Sequence, residues 1–314
     1  MKNKGEKRLV YLATPDFSVP ALAALVENGY KIVSVVSQPN KAQGRKQLIM
    51  DTPVAAYAKA NSLPLFQPES INSPEAVAYL QDLQPDLIIT AAYGQILRSQ
   101  VLNLPRLGCM NIHASLLPRY RGAAPINAAI IDGEKKTGIT LMAMDEGCDT
   151  GDILYQAELT IDPEDTAGSL FSKLADLGAS SIIKFLPDFF TGNFTRVKQD
   201  ETSATKAPKM TRETGLVNWD EGVDKLDCLI RGCQPWPGSY SFFQGQRLKI
   251  YSAKPLPERK SDLPPGSIVD CHKGLTISCG QGCLLLQEIQ FASGKRMDSS
   301  VCSHNFSVGQ KLGN

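Results

Sequence analysis

The first half of the chain alternates short apolar runs with stretches of mixed polarity. Residues 8–13 (RLVYLA), 31–36 (KIVSVV) and 86–92 (DLIITAA) are apolar on both faces of an extended chain, the pattern of central parallel strands covered by helices. Between them, residues 19–28, 52–61 and 74–84 carry helical spacing. Strand–helix alternation with right-handed crossovers predicts an α/β fold built on an open, doubly wound, mainly parallel sheet. Further strands are predicted at 109–113, 138–144 and 153–159. After Asp165 and Thr166, an N-cap pair, Leu170, Leu174 and Leu177 recur at helical spacing. That helix packs on the sheet as core and closes a first domain, residues 1–190, near Phe190.

Residues 191–208 break the pattern. The stretch is polar, with little periodicity, and reads as a basic linker. Arg196, Lys198, Lys206, Lys209 and Arg212 stand there and just beyond, against Asp200 and Glu201. A solvated connection explains this composition; so does a path for the phosphates of a polyanion. Residues 209–314 form a second domain of short strands between Gly-rich turns. A hairpin is predicted over 239–251 around Gly245, strands at 266–269, 275–278 and 283–290, and a helix at 223–232. Such a pattern predicts a small β-barrel.

Composition narrows the function classes. A length of 314 residues suits two domains, and 33 Lys+Arg against 32 Asp+Glu excludes a wholly basic nucleic-acid coat. No apolar run approaches the ~20 residues of a membrane helix, and the charged start is unlike a signal peptide. A cytoplasmic protein without membrane contact is expected, and a monomer, since no amphipathic surface is left over. The eight cysteines form no C-x-x-C pair, so structural zinc is not expected, and reduced, mostly buried thiols are. The first strand leads into A-T-P-D-F-S rather than G-x-G-x-x-G, and no G-x-x-x-x-G-K-[ST] follows. Nicotinamide and ATP are therefore disfavoured.

Candidate chemistry collects at two places. Residues 111–125 read N-I-H-A-S-L-L-P-R-Y-R-G-A-A-P, and residues 145–152 read D-E-G-C-D-T-G-D. Both are expected at the carboxyl ends of strands, where open α/β sheets bind ligands. Asn111 and His113 share one face by the period-two alternation of a strand. The Asn111 amide can steady an oxyanion, and His113 opens onto a Pro/Gly-rich loop. The other two histidines, His272 and His304, read as surface or structural. Asp149 stands among Asp145, Glu146 and Asp152, where a solvated acidic turn or a helix cap competes with a catalytic role. Cys148 reads as a packing residue rather than a nucleophile. Clustered carboxylates could bind a divalent metal, but imidazole, amide and one carboxylate together fit acyl transfer better.

The stretches H-A-S-L-L-P-R-Y-R-G-A-A-P-I and G-I-T-L-M-A-M-D-E-G-C-D-T-G-D resemble those of the formyltransferases that use 10-formyltetrahydrofolate. A-T-P-D-F (13–17), Q-P-N-K-A-Q-G-R (38–45), A-A-Y-G-Q-I-L (91–97) and I-R-G-C-Q-P-W-P-G (230–238) are similar to one branch of that family, which acts on methionyl-tRNA. The likeness extends over nearly the whole chain. It implies Asn111, His113 and Asp149 as catalytic residues. It implies folate contacts at Ala92, Tyr93, Gly94, Ser115, Leu116, Leu117 and Pro118, and at Asp145 and Gly147 in the loop before Asp149. It further implies an oligonucleotide-binding (OB-like) C-terminal barrel that helps hold tRNA, and an acceptor-stem loop at 41–48. The cations expected at phosphates are Lys41, Arg45, Lys46, Lys206, Lys209, Arg231 and Lys249. The implied reaction moves the formyl group of 10-formyltetrahydrofolate to the α-amine of initiator methionyl-tRNA, without metal, nicotinamide or ATP.

Two positions depart from the family's pattern. Ala13 stands where Gly is usual, and the acceptor-stem loop reads G-R-K-Q-L where G-R-G-K-K-L is usual. Two other readings compete: the same chemistry on a small amine, such as an amino-sugar nucleotide, and a non-catalytic folate- or RNA-binding module.

Overall fold

The computed structural model describes residues 6–43 and 48–313, which form two compact units. The first comprises Met1–Gly122, Lys136–Thr160 and Phe171–Lys206. Its strands are β1 (Arg8–Ala13), β2 (Lys31–Val36), β3 (Lys41–Gln43), β4 (Leu48–Met50), β5 (Leu65–Phe66), β6 (Leu87–Ala91), β7 (Cys109–His113), β8 (Lys136–Ala143) and β9 (Ile153–Thr160). Seven of these make one sheet in the order β9–β8–β7–β6–β1–β2–β5. The run from β7 to β5 is parallel, whereas β8 and β9 are antiparallel additions at the other edge. Leu9 to Ala13 and Leu87 to Ala91 are buried throughout, which is why their sequences are apolar on both faces. Helices Pro53–Ala60 and Pro74–Asp82 start where the sequence sets a cap before a proline. Thr52 Oγ1 accepts from Ala55 N at 3.1 Å and Ser73 Oγ accepts from Ala76 N at 3.2 Å.

Two features position the site. The first is the switch point, where β1 is flanked by β2 and β6 and the connections diverge. There Thr14 Oγ1 donates to Tyr93 O at 3.0 Å and Ser18 Oγ to Ala91 O at 2.6 Å, so the loop after β6 is tied to the end of β1. The second is the helix Ala167–Thr191, whose part from Phe171 on belongs to this unit. A Cβ on Gly178 would lie 3.2 Å from Ile112 Cγ2, so this helix approaches β7 closely. Ile112 faces the helix; Asn111 and His113 therefore face the opposite side of the sheet.

β3 and β4 pair as an antiparallel hairpin where only a loop was expected. Leu48, Ile49 and Met50 are 59%, 76% and 53% exposed, so no burial signal marked them as a strand. Arg45 and Lys46 lie outside the described residues.

The second unit comprises Ala123–Lys135, Ile161–Leu170 and Ala207–Asn314. Its strands β10 (Ser239–Phe243), β11 (Gln246–Leu256), β12 (Ile268–Asp270), β13 (Leu275–Ser278) and β14 (Cys283–Phe291) form an antiparallel sheet in the order β10–β11–β14–β13–β12. β15 (Met297–Asp298) pairs with β14. Gln244 and Gly245, both at positive φ, make the hairpin turn between β10 and β11. Register shifts after Ile250 and Ser252 bend β11, and the sheet curls into a half-barrel. Leu248, Ile250, Ile277, Leu286 and Ile289 form the core, with Leu226 and Ile230 of the helix Val223–Gly232. β12 begins two residues later than predicted. Gly266, at φ +86, leaves the extended conformation, although its N still donates to Ser278 O at 2.8 Å. Among the described residues, no helix is long and apolar enough to cross a membrane.

Candidate active site

β7 ends in the sequence C-M-N-I-H, and its alternation brings Asn111 and His113 out on the face away from the helix. Thr90, at the matching position of β6, donates from Oγ1 to Asn111 Oδ1 at 2.8 Å. Asp149 Oδ1 lies 3.4 Å from Asn111 Nδ2. A carboxylate only accepts, so these two neighbours fix the amide: its oxygen is held by Thr90 and its NH₂ is presented to the site.

His113 is nearly fully buried. Its Nε2 is 3.0 Å from Tyr120 O, an acceptor, so Nε2 carries the hydrogen. Nδ1 is thereby left to face Asp149 Oδ2, 3.7 Å away. That distance is too long for a hydrogen bond but suits an ion pair whenever Nδ1 carries a proton. The same Oδ2 accepts from Gly122 N at 2.8 Å. Asn111, His113 and Asp149, expected together, are together.

The route by which Asp149 arrives differs from the expectation. β8 runs antiparallel to β7, with Met110 opposite Ala143, so the 145–152 loop leaves the sheet beside the amino end of β7. Alternation along a strand reports faces, not direction. The loop folds back over the sheet face to reach Asn111 and His113. Asp145 Oδ1 braces it by accepting from Gly147 N at 3.0 Å and Thr150 Oγ1 at 2.7 Å, and a Cβ on Gly147 would sit 1.9 Å from Thr150 Oγ1. Asp145 and Gly147 thus build the loop. Asp149 itself is held at φ +55, a conformation that strains a non-glycine residue by about 1–2 kcal/mol. Its charge-assisted bond from Gly122 N contributes about 1.5–3 kcal/mol and outweighs that strain.

The 113–122 loop is equally fixed. Thr140 Oγ1 donates to Ser115 O at 2.7 Å and accepts from Leu117 N at 3.0 Å, while Gln156 Nε2 donates to Leu117 O at 2.9 Å. Ser115 and Leu117 are buried, whereas Leu116 and Pro118 are half-buried. At the switch point, Ala92 is exposed at φ +47, and a Cβ on Gly94 would fall 2.6 Å from Gln38 Nε2. Tyr93 is buried, its phenol pushed up to about 12 by desolvation. Ile96 in the same loop is an apolar side chain left 76% exposed.

Cys148 is exposed, with Sγ 3.8 Å from Asp149 Oδ2. Partial desolvation, then the Asp149 charge, raise its thiol. It is protonated at neutral pH, a poor nucleophile. Among the described residues, no group of three or more His, Cys, Asp and Glu is arranged to hold a metal ion. His272 and His304 are exposed.

Sequence reasoning missed Thr90, Arg121, Gln199 and Thr205. Gln199 Nε2 donates to Asp149 O at 2.8 Å, and Thr205 Oγ1 accepts from Tyr120 N at 2.8 Å. Their signal is weak because each acts on a group far away in sequence, Gln199 and Thr205 on backbone atoms and Thr90 and Arg121 on other side chains. Of the cations expected at phosphates, Lys41, Lys206, Lys209 and Lys249 are exposed. Arg231 is not free: Nε pairs with Asp227 Oδ2 at 2.7 Å and Nη1 donates to Asp165 O at 3.0 Å. It serves the packing of the second unit.

Comparisons with known proteins identify the family. The chain matches the formyl transferase family over residues 7–186 and the formyl transferase C-terminal domain over residues 209–305. It is 41% identical to the methionyl-tRNA formyltransferase of Acetivibrio thermocellus, over 98% of this chain and 99% of that one. Solved structures share the fold. WlaRD, a sugar 3N-formyl transferase crystallised in the presence of dTDP and 5-N-formyl-THF, superposes with TM-score 0.68 at 19% identity, over 93% of this chain and 100% of that one. HypX from Aquifex aeolicus, in complex with tetrahydrofolic acid, superposes with TM-score 0.62 at 19% identity over 94% of this chain, which spans about half (46%) of HypX. The chain belongs to the formyl transferase family.

Proposed function

We infer that this chain is a methionyl-tRNA formyltransferase, transferring the formyl group of 10-formyltetrahydrofolate to the α-amine of initiator methionyl-tRNA in the cytoplasm. The observation that carries the chemistry is the convergence of the Asn111 NH₂, the His113 Nδ1 and the Asp149 carboxylate at one point. The acceptor is supported by 41% identity, over 98% of this chain, with a protein of that name. A folate fits at the switch point, where Ala92 and Ile96 present apolar surface and the 115–118 turn is rigidly held. Ala92, Tyr93, Gly94, Ser115, Leu116, Leu117 and Pro118 are the residues we assign to its binding, with Asp145 and Gly147 shaping the adjoining loop.

The bond that forms joins the amine nitrogen to the formyl carbon; the bond that breaks joins that carbon to N10 of the folate. The amine loses one proton and N10 gains one. Asn111 Nδ2 donates to the formyl oxygen as charge develops there, a role worth on the order of 10²–10³ in rate. His113, with Nε2–H anchored on Tyr120 O, works through Nδ1, and Asp149 supports the ring when that atom is protonated. The pair moves the amine proton towards the leaving nitrogen, a general acid–base contribution on the order of 10²–10⁴.

The chain acts as a monomer with a catalytic domain at 1–190, a basic linker at 191–208 and a tRNA-binding domain at 209–314. Lys41, Arg45, Lys46, Lys206, Lys209 and Lys249 neutralise tRNA phosphates; Arg231 is left out because its guanidinium is already engaged by Asp227 and Asp165. The deciding experiment offers the purified chain 10-formyltetrahydrofolate with methionyl-tRNA or with small amines, amino-sugar nucleotides among them. Transfer to methionyl-tRNA is expected. Transfer to a small amine alone would replace this reading with the sugar one.

A further inference from the structure

Residues 197–206 lie far in sequence from the 145–152 loop, yet they are tied to it. Val197 and Ile153 exchange both backbone hydrogen bonds, at 2.8 and 2.9 Å. Two residues on, Gln199 is 6% exposed amid an otherwise exposed polar stretch. Its Nε2 donates to Asp149 O at 2.8 Å and to Gly151 O at 2.7 Å, and its Oε1 accepts from Arg121 Nε at 3.0 Å. Arg121 is itself held by two bonds to Glu201, at 2.9 and 2.7 Å. A guanidinium only donates and a carbonyl only accepts, so just one orientation of the Gln199 amide satisfies all three neighbours. All of its hydrogen-bonding capacity on this side converges on the two carbonyls that flank Thr150, in a loop whose Asp149 is at φ +55.

We propose that Gln199 is a positioning residue for formyl transfer: it clamps the backbone of the 149–151 turn so that the Asp149 carboxylate faces Asn111 and His113, and Arg121 orients the Gln199 amide. The inference rests on the reading of Asp149 as part of the catalytic machinery. A side chain that merely stabilises the fold lowers stability and leaves turnover by the folded fraction unchanged. A positioning residue lowers kcat in protein that is fully folded, because a shift of about 1 Å in a catalytic group costs on the order of 10²-fold in rate. It also loses its effect once the group it positions is disabled.

The test uses the full chain, steady-state formylation of methionyl-tRNA and four proteins: wild type, Gln199→Leu, Asp149→Asn and the double variant. Gln199→Leu is expected to lower kcat roughly 10- to 100-fold with both KM values within about twofold of wild type, and to add less than about threefold in the Asp149→Asn background. Gln199→Glu, which keeps the acceptor for Arg121 but sets an oxygen against the two carbonyls, is expected to fail to rescue. Wild-type kcat in Gln199→Leu, or a full additional loss in the double variant, overturns the positioning role. Wild-type turnover in Asp149→Asn with reduced turnover in Gln199→Leu overturns instead the catalytic reading of Asp149. If Gln199→Leu does not fold, Arg121→Lys carries the same cycle. A lysine keeps a charge for Glu201 but not the Nε donor, and an unchanged kcat there overturns the proposal equally.

Discussion

Asp149 Oδ2 stands 3.7 Å from His113 Nδ1 while accepting from Gly122 N at 2.8 Å. The carboxylate is thus fixed by a backbone amide and serves the imidazole by charge rather than by a direct hydrogen bond. Asp149→Asn keeps an acceptor for Gly122 N, and asparagine tolerates the left-handed backbone at φ +55. The variant is expected to unfold within about 1 kcal/mol of wild type while kcat falls on the order of 10²–10⁴-fold. Thermal denaturation and steady-state kinetics on one preparation check both halves; retained turnover would remove the carboxylate from the mechanism.

Thr90 is the least conspicuous member of the site. Its hydroxyl holds the Asn111 oxygen at 2.8 Å and so decides which end of the amide is offered to substrate. Thr90→Val keeps the shape and removes that bond. Turnover is expected to fall about tenfold, a fraction of the loss on deleting the Asn111 donor. Equal kcat values for Thr90→Val and wild type would show that Asn111 needs no such orientation.

Cys148 reports on Asp149 independently of turnover. Desolvation and the Asp149 charge raise its thiol, so at any given pH the reactive thiolate is scarcer, and alkylation slower, than for an ordinary thiol. Asp149→Asn removes one cause of the rise and is expected to speed Cys148 alkylation at a given pH, followed by mass spectrometry of the peptide. Alkylation at neutral pH faster than that of an unperturbed thiol would contradict the environment described.

Much of this was legible in the residues, for reasons that also mark where legibility stopped. β1 and β6 read as central strands because Leu9–Ala13 and Leu87–Ala91 are buried on both faces. Asn111 and His113 read as neighbours because a strand repeats every two residues. The antiparallel course of β8 did not read, since periodicity carries no direction. The β3–β4 hairpin did not read either, because Leu48, Ile49 and Met50 bury nothing that would impose alternation. Gln199 was hidden most completely: its partners are carbonyls 50 and 48 positions away, and no side-chain pattern records a bond to a backbone atom.

Lys206 is exposed, and its ammonium influences the Cys148 thiol beside the catalytic loop. If it neutralises one phosphate, Lys206→Ala lessens the slope of log affinity against log salt by about 0.7–0.9. Filter binding of methionyl-tRNA across a salt series measures it. An unchanged slope would place Lys206 off the tRNA path.

The most direct measurement is single-turnover formyl transfer from 10-formyltetrahydrofolate by wild type and His113→Ala, with methionyl-tRNA as acceptor. Wild type is expected to form N-formylmethionyl-tRNA, and folded His113→Ala to be slower by on the order of 10²–10⁴. Near wild-type rates in His113→Ala, or no transfer to methionyl-tRNA by the wild-type chain, would contradict the account.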